Sequence, residues 1–266
     1  MSIFVGFAFE SSILSNSRRI QFEPERWFDQ TLCEFSLTSN RVDVWRVPVG
    51  DHADISRLTT CLSDDEVERA NRFHRDVIRF RFIKRRAALR HLLAKYQNTD
   101  AASIRFEHNE FGKPYVVDPS EGRKIQFSSS SSENLALIAF TMGDDIGCDV
   151  ENCKRKVKFL SLANRFFHPD ETADIHSQDE RARRAAFFHC WARKEAYVKA
   201  LGKGLFLPLN SFRVNTLPDK PQLIWADPKV TNAADWEMKA ITPALDYVGA
   251  LVVPANVTQI CQFDFG

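Results

Sequence analysis

The chain has 266 residues, of which 44% are hydrophobic and 27% charged, and its formal net charge is +1. These values are typical of a soluble globular protein with one large domain or two of ordinary size, and they exclude a disordered chain. The near-neutral charge also excludes a global attraction to nucleic acid or to a membrane, so any charge effect must be local.

Cysteine usage and the apolar runs indicate the compartment. The six cysteines are scattered without a regular framework, which is typical of reduced thiols in a cytosolic protein. The segment MSIFVGFAFE at residues 1–10 is apolar, but it lacks a basic region and reaches Glu10 too soon for a signal peptide. No apolar run has the length of a membrane span. We therefore expect a cytoplasmic protein without membrane association.

In the first half, residues 1–40 give no clear pattern, and the alternation in VDVWRVPV (42–49) then predicts a strand. Ser63 before an acidic first turn predicts the start of a helix, and apolar residues at helical spacing predict a second helix over 76–96. Short strand-like segments separated by turn residues follow at 103–107, 114–117, 124–128 and 135–140.

The second half repeats this order of elements. A helix is predicted over 180–201, and strand-like segments follow it at 211–215, 222–226, 236–241 and 247–253. One long helix followed by several short strands, twice, predicts an α+β protein of two similar halves packed side by side. We place the joint near residues 143–145, which gives domains 1–145 and 146–266.

Two carboxylates follow each other at strand spacing in IGCDVENC (146–153). Asp149 and Glu151 would lie on the same face of a strand, where they repel unless a cation or water separates them. Oxygen ligands favour Mg²⁺ or Mn²⁺. Taken alone, the stretch fits an edge strand with a solvated charged face better. A zinc site from nearby cysteines and His189 is weaker still, because the C-x4-C spacing is loose.

The helix over 180–201 carries a third acid. Trp191, Glu195 and Lys199 follow each other at intervals of four and so form one stripe on the helix. A surface ion pair between the last two is the simpler interpretation. However, Trp191 and two phenylalanines just upstream predict that this face is partly buried, and a buried carboxylate needs a partner. A metal shared with the two acids of the earlier strand would be such a partner.

Three further segments have alternative interpretations. Interleaved Arg and Phe over 69–86 fit a solvated basic face, a local anion site, or a single-stranded nucleic-acid surface. The near-neutral total charge argues against the last, and we expect no nucleic-acid partner. The turn at Gly112 to Pro114 allows close approach of a ligand to the backbone. The serine run at 128–132, taken alone, indicates only a polar loop.

The order of these motifs resembles the 4′-phosphopantetheinyl transferase superfamily, Sfp type. That family carries G-(I/V)-D-(V/I)-E and, about forty residues later, W-x-x-K-E-A-x-x-K. Here the two motifs are GCDVE at 147–151 and WARKEAYVK at 191–199. The family fold is a pseudo-dimer of two similar α/β halves, each a long helix packed on a small, mostly antiparallel sheet.

The resemblance implies transfer of 4′-phosphopantetheine from coenzyme A to a serine of an acyl or peptidyl carrier protein, with release of adenosine 3′,5′-bisphosphate. It assigns Asp149, Glu151 and Glu195 to Mg²⁺, or Mn²⁺, held against the pyrophosphate. It assigns Glu151 as the base that takes the serine proton. Lys199 would bind the pyrophosphate and stabilise the departing bisphosphate. The role of Lys194 stays open.

The resemblance also implies a coenzyme A site. Its predicted ligands are Arg69 for the 3′-phosphate, with help from Arg81 or Arg86, then Gly112, Lys113 and Pro114 on the adenine side, and Ser130, Ser131 and Lys199 on the other phosphates. The chain departs from the family at Ser131, where the family has histidine, and at Ser128, where it has asparagine. The lost imidazole removes a phosphate contact.

The segment between the two motifs is basic and then apolar. Because carrier proteins are usually acidic, we expect it to dock the carrier. The residues concerned are Lys154, Arg155, Lys156, Lys158, Phe159 and Leu162. A solvated loop before an amphipathic helix fits equally well. We expect a monomeric enzyme, and a non-catalytic relative that binds coenzyme A or a carrier is the alternative.

Overall fold

The computed structural model describes residues 26–50, 55–117, 124–228 and 231–266. Much of the segment 1–40, for which the sequence predicts no element, therefore lies outside the described residues. Six helices are described: α1 Ser56–Thr59, α2 Asp64–Asn71, α3 Asp76–Gln97, α4 Phe159–Phe166, α5 Pro169–Ser177 and α6 Glu180–Leu201.

Twelve strands are described: β1 Phe28–Asp29, β2 Arg41–Pro48, β3 Phe106–His108, β4 Pro114–Val116, β5 Ile125–Ser132, β6 Leu135–Met142, β7 Gly147–Asn152, β8 Phe212–Val214, β9 Leu223–Ala226, β10 Trp236–Ile241, β11 Tyr247–Pro254 and β12 Gln259–Asp264. The strands predicted along the chain are all present within a few residues. The two long helices begin where the sequence places them.

The first half packs α3 against a five-stranded sheet of order β1-β12-β2-β6-β5. Ser63 caps α2 as predicted, in a capping box whose other member is Glu66. The apolar face of α3, including Leu89, Leu92 and Leu93, joins the core formed with Trp45 and the other buried residues of the sheet. This burial explains why the helix persists for 22 residues despite its many arginines.

The second half packs α6 against the antiparallel sheet β10-β11-β7. Its core holds Phe187, Phe188 and Tyr197, all on α6. The helix ends at Gly202, whose left-handed conformation (φ 63°) closes the last turn. The mixed α+β class predicted from the sequence is confirmed by these layers.

The last strand returns to the first half. β12 pairs in parallel with β2, from Gln259 beside Arg41 to Asp264 beside Arg46. The division into domains 1–145 and 146–266 stays a prediction. The final strand lies in the second of these ranges but completes the sheet of the first half. The sequence does not predict this return, because the residue pattern of a strand does not identify its pairing partner.

Two further observations concern the whole described chain. None of its described helices is long and apolar enough to cross a membrane. All six cysteines lie in described residues and are free thiols, as their scattered spacing predicts.

Candidate active site

A cleft of about 700 Å³ lies between the two halves. One wall comes from α3, β5 and the turn before β4, and the other from α6 and the segment that follows it. The predicted site residues that line the cleft are Arg86, Gly112, Lys113, Pro114, Glu195 and Lys199. Trp191 lines it too, so the stripe of three residues predicted on α6 does face one common space.

Gly147 brings the acidic strand β7 against α6. A Cβ atom built at this position would lie 1.9 Å from the carbonyl oxygen of Ala196 and 2.5 Å from the amide nitrogen of Ala200. No side chain larger than hydrogen fits there. The glycine at the start of the GCDVE motif therefore sets how closely the acids of β7 approach Glu195 and Lys199.

The serine run is a strand, and its alternate hydroxyls hold β7. Ser128 Oγ accepts a hydrogen bond from the Cys148 amide at 2.9 Å. Ser130 donates to Asp149 Oδ1 at 2.6 Å, and Ser132 donates to Glu151 Oε2 at 2.8 Å. The interpretation of this run as a polar loop, based on the run alone, was wrong. Because strand side chains alternate, every second serine of β5 faces the acidic strand.

Asp149 and Lys199 form the central ion pair of the cleft. Lys199 donates to Asp149 Oδ1 at 2.6 Å and to the Cys148 carbonyl at 3.2 Å. Burial would lower the pKa of Lys199, but the adjacent Asp149 carboxylate outweighs it and the pKa is raised. Lys199 therefore stays charged and is aimed at β7, rather than at Glu195 one turn away on its own helix.

Two further carboxylates are electrostatically coupled to Asp149. Burial raises the pKa of Glu195, and the Asp149 charge raises it further. Burial likewise raises the pKa of Glu151 to about 7, again with Asp149 as the next cause, although Arg155 at 2.7 Å opposes the shift. A positive charge that approaches from the cleft would stabilise the ionised form of both carboxylates.

The residues present fit a hard divalent cation at Asp149 and Glu195. Asp149 Oδ2 is buried and has no hydrogen-bond partner among the described residues, so one oxygen is available to a ligand. Glu151 instead faces Ser132 and Arg155. In the described ranges no group of three or more His, Cys, Asp or Glu residues lies close enough to hold a metal. The predicted set of three carboxylates therefore stays a prediction.

Lys194 has a different role from Lys199. Its ammonium is fully buried, pairs with the equally buried Glu171 at 2.8 Å, and donates to the carbonyls of Leu209 and Phe212. Burial lowers the pKa of Lys194, and the carboxylate of Glu171 opposes the shift. Lys194 thus ties α6 to α5 and to the segment that lines the cleft around Leu209, which answers the question the sequence left open.

The glycine turn connects the two halves. Gly112 has a positive φ of 86°, and Lys113 donates to Asp145 at 2.5 Å and to the Ala200 carbonyl at 3.2 Å. Pro114 begins β4 beside them. The turn therefore rests on the end of α6, and its three residues lie together on the cleft as the sequence predicts.

The other predicted phosphate ligands lie outside the cleft lining. Arg69 is exposed and stacks on the Phe82 ring at 5.5 Å. Arg81 pairs with Glu133 at 3.0 Å and donates to Asn134 at 2.7 Å. Ser131 is exposed, whereas Ser130 is buried against Asp149. Their binding of coenzyme A stays a prediction.

Arg85 is the functional candidate that the sequence did not single out. It lines the cleft from α3, next to Arg86, and donates to Ser129 Oγ at 3.2 Å. The helical periodicity that placed Leu89 and Leu93 in the core could have placed Arg85 one turn before Leu89, on the same side of α3.

The predicted docking segment runs from the turn after β7 into the first half of α4. Lys154, Lys156 and Lys158 are exposed, while Arg155 pairs with Glu151. Phe159 and Leu162 pack against the core of the second half. Lys154 pairs with Asp246 at 2.5 Å, whereas no ion pair is described for Lys156 or Lys158. The docking role of the segment stays a prediction.

Comparison with known proteins agrees with this geometry. The sequence profile of the 4′-phosphopantetheinyl transferase superfamily matches residues 145–251, which include β7 and α6. The chain is 32% identical over 219 residues to the 4′-phosphopantetheinyl transferase HetI of Nostoc sp., covering 82% of this chain and 90% of that protein. The chain therefore belongs to the 4′-phosphopantetheinyl transferase superfamily, and the family predicted from its motifs is confirmed.

Two further similarities are narrower. The 4′-phosphopantetheinyl transferase Sfp of Bacillus subtilis is 32% identical over 163 residues, which is 61% of this chain and 70% of that protein. The crystal structure of holo-[acyl-carrier-protein] synthase from Thermotoga maritima superimposes with a TM-score of 0.33 at 24% identity. That superposition covers 41% of this chain and 62% of the other.

Proposed function

We propose that this protein transfers 4′-phosphopantetheine from coenzyme A to a serine hydroxyl of an apo acyl or peptidyl carrier protein, and releases adenosine 3′,5′-bisphosphate. The observation that carries the proposal is the cleft between the halves, which Glu195 and Lys199 line. Lys199 pairs with Asp149 Oδ1, and Asp149 Oδ2 has no hydrogen-bond partner among the described residues. Membership of the transferase superfamily, with relatives named as 4′-phosphopantetheinyl transferases, supports the reaction.

Asp149 and Glu195 would hold a divalent cation, Mg²⁺ or Mn²⁺, with Glu151 as the third predicted ligand. Bound there, the ion would neutralise the acids and the charge that develops on the transferred phosphoryl group. Ser130 holds Asp149 Oδ1, which leaves Oδ2 directed to a ligand.

Glu151 would take the proton from the carrier serine. Its pKa of about 7 suits a base that works near neutral pH. The serine oxygen then forms a bond to the β-phosphorus of coenzyme A while the bond to the bridging oxygen of the pyrophosphate breaks. Lys199 would stabilise the negative charge on the departing bisphosphate.

The nucleotide of coenzyme A would lie on the first half. Gly112, Lys113 and Pro114 present a turn on the cleft for the adenine side. Arg69, Arg81, Ser130 and Ser131 stay the proposed contacts to the phosphates. The carrier would dock on the lysines of the segment 154–162, whose charge complements an acidic partner. We place the enzyme in the cytoplasm as a monomer.

The test is a transfer assay. The protein is incubated with coenzyme A, Mg²⁺ and a panel of apo carrier proteins, and the mass of each carrier is measured. We expect a gain equal to one phosphopantetheine group, absent without divalent cation. The variants Asp149→Ala and Glu195→Ala are expected to lose it, and if both retain it the proposed function fails.

A second candidate is a non-catalytic relative that binds coenzyme A or a carrier, and the serine at position 131 favours it. Coenzyme A binding without transfer to any carrier of the panel would support this alternative. The variant Ser131→His, assayed beside the native protein, is expected to bind coenzyme A more tightly if the imidazole contact limits affinity.

A further inference from the structure

Arg155 forms an ion pair with Glu151, the proposed base, from the turn that follows β7. Its guanidinium lies 2.7 Å from Glu151 Oε2, the same oxygen that accepts a hydrogen bond from Ser132 at 2.8 Å. The side chain of Glu151 is 9% exposed, whereas that of Arg155 is 37% exposed. The arginine is thus the solvent-exposed partner of a nearly buried carboxylate.

The two side chains that bond to Glu151 differ in how freely they can move. Ser132 is buried and belongs to β5, which pairs with β6 along its whole length. Arg155 lies outside the helices and strands, and its long side chain can change rotamer without breaking a backbone pairing. Of the two, Arg155 can leave the carboxylate at the lower cost.

The backbone at Arg155 is fixed, so its side chain can move alone. Arg184 of α6 donates to the carbonyl of Cys153 at 2.5 Å and to the carbonyl of Arg155. The amide of Arg155 donates to the Asn152 carbonyl at 3.2 Å. These bonds hold the turn against α6 whether the guanidinium faces Glu151 or the solvent.

The proposed reaction requires a hydroxyl of another protein to reach Glu151. A proton passes to a general base across a hydrogen bond of about 2.6–3.2 Å. With Arg155 in place, Glu151 is nearly buried and its Oε2 already accepts two hydrogen bonds. The serine of a carrier protein therefore reaches Glu151 after Arg155 has moved away.

The residues that follow Arg155 indicate what would draw its guanidinium away. Lys156 and Lys158 are exposed, and no ion pair is described for either. A partner that carries several carboxylates is attracted to such a turn, and one of them can replace Glu151 on Arg155. The exchange substitutes one charge-assisted hydrogen bond for another, so its cost is small.

We propose that Arg155 is a latch on Glu151: in the free protein it covers the base, and an acidic carrier protein that docks on the turn takes the guanidinium and uncovers the base. Arg155 is thus a positioning residue that acts through Glu151. The assignment rests on the proposed function for the reaction and the partner. Its consequence is that water does not cleave coenzyme A while no carrier is bound.

Removal of the latch should permit a side reaction with water. A water molecule donates its proton to Glu151, and its oxygen forms a bond to the β-phosphorus of coenzyme A. The bond from that phosphorus to the bridging oxygen breaks, and the proton on Glu151 passes to solvent. The products are 4′-phosphopantetheine and adenosine 3′,5′-bisphosphate, and one water is consumed.

The experiment measures release of adenosine 3′,5′-bisphosphate from coenzyme A by chromatography, with Mg²⁺ and without carrier. The native protein is compared with Arg155→Met, Arg155→Lys and Arg181→Met. Methionine keeps the apolar stem of the arginine, and lysine keeps its charge. Arg181 is exposed at the start of α6, and no contact between it and Glu151 is described, so its replacement controls for the loss of one charge.

We expect Arg155→Met to release the bisphosphate roughly tenfold faster than the native protein, Arg155→Lys to restore slow release, and Arg181→Met to stay within about twofold of native. Labelling of Glu151 by a carbodiimide and an amine, measured by peptide mass, should also be faster in Arg155→Met. Because a damaged fold does not accelerate hydrolysis, such a gain is not a structural side effect. Native rates of release and labelling in Arg155→Met would overturn the proposal.

A second measurement uses the native protein alone and does not depend on how the variants fold. A carrier that accepts the group in the transfer assay is prepared with its acceptor serine replaced by alanine, which leaves room for a water molecule. We expect this carrier to accelerate release of the bisphosphate by the native protein several-fold, since docking moves Arg155. Unchanged release at a saturating concentration of this carrier would contradict the latch.

The latch and the proposed function fail in different ways. Transfer to carriers, with equally slow hydrolysis in the native protein and Arg155→Met, would remove the latch and leave the transferase. Faster hydrolysis in Arg155→Met, with no mass gain in any carrier, would support Arg155 as the cover of Glu151 and remove the carrier from the proposed function.

Discussion

The two long helices α3 and α6 occupy equivalent places in the two halves but present opposite chemistry to the cleft. Each has 22 residues and ends on a left-handed residue, Asn98 in α3 and Gly202 in α6. Towards the cleft α3 directs two guanidiniums, whereas α6 directs Glu195 and Lys199 beside the acids of β7.

The difference shows that a repeated architecture does not fix the chemistry of either copy. The acids lie on β7, which accepts hydrogen bonds from serines of β5. Gly147 allows this strand to lie close beside α6. The arginines lie where a single carboxylate of α2, Glu66, pairs with both Arg86 and Arg90 of α3. Function follows from these side chains rather than from the fold.

The largest expected effect separates the two lysines of α6. Lys194→Met removes one partner of a fully buried ion pair and leaves Glu171 charged and unpaired, which should cost about 3–5 kcal/mol of unfolding free energy in urea. Lys199 is partly exposed and Asp149 keeps its hydrogen bond from Ser130, so Lys199→Met should cost less stability than Lys194→Met but reduce transfer strongly. Equal stability of the two variants would mean that Lys194 has no special role in the fold.

Gly147→Ala tests the close contact between β7 and α6, for which α3 and its sheet have no equivalent. The added methyl group would collide with the backbone of α6, so we expect a loss of at least about 1–3 kcal/mol together with reduced transfer as β7 moves away from Glu195. Urea unfolding and the carrier mass assay measure both. Native stability in this variant would show that β7 and α6 are not in such close contact.

Ser130→Ala tests how the acids of β7 are held in position. The variant removes a hydrogen bond to Asp149 Oδ1, and we expect roughly tenfold slower transfer. Ser131→Ala is the matched control on the same strand: its exposed side chain makes no contact with Asp149 in the structure, so Asp149 should stay in place. The half-saturating Mg²⁺ concentration should rise in Ser130→Ala and stay native-like in Ser131→Ala.

The smallest expected effect at neutral pH concerns His189 on α6. Burial lowers its pKa to about 4, with Arg193 as the next cause, so the folded protein keeps the imidazole neutral while the unfolded chain protonates it near pH 6.5. Stability from this group is full above pH 6.5 and is lost as the pH falls towards 4, by about 2 kcal/mol at pH 5. His189→Gln should flatten that part of the stability–pH curve. An unchanged slope would show that His189 is not the group that causes it.

The sequence predicted both long helices well, because caps and apolar spacing are local signals. Ser63 likewise marks the start of the shorter helix α2, and Gly202 marks the end of α6. The stripe of Trp191, Glu195 and Lys199 could also be predicted, since helix geometry places such residues on one face.

What could not be predicted depends on partners distant in the chain. The pairing of Lys194 with Glu171, the return of β12 to β2, and the serines of β5 that hold β7 are all long-range contacts. Arg85 was overlooked for a related reason. Arg85 and Arg86 differ in their carboxylate neighbours, because Glu66 pairs with Arg86 and not with Arg85.

The measurement that tests the central claim most directly is a double-mutant cycle on Asp149 and Glu195. Transfer rates are measured for Asp149→Asn, Glu195→Gln and the double variant at saturating Mg²⁺, with circular dichroism to verify folding. If acids of β7 and α6 act on one ion, each single variant should lose on the order of 100-fold, and the double variant should lose little more. Losses that multiply, or a single variant with native transfer, would contradict a shared site between strand and helix.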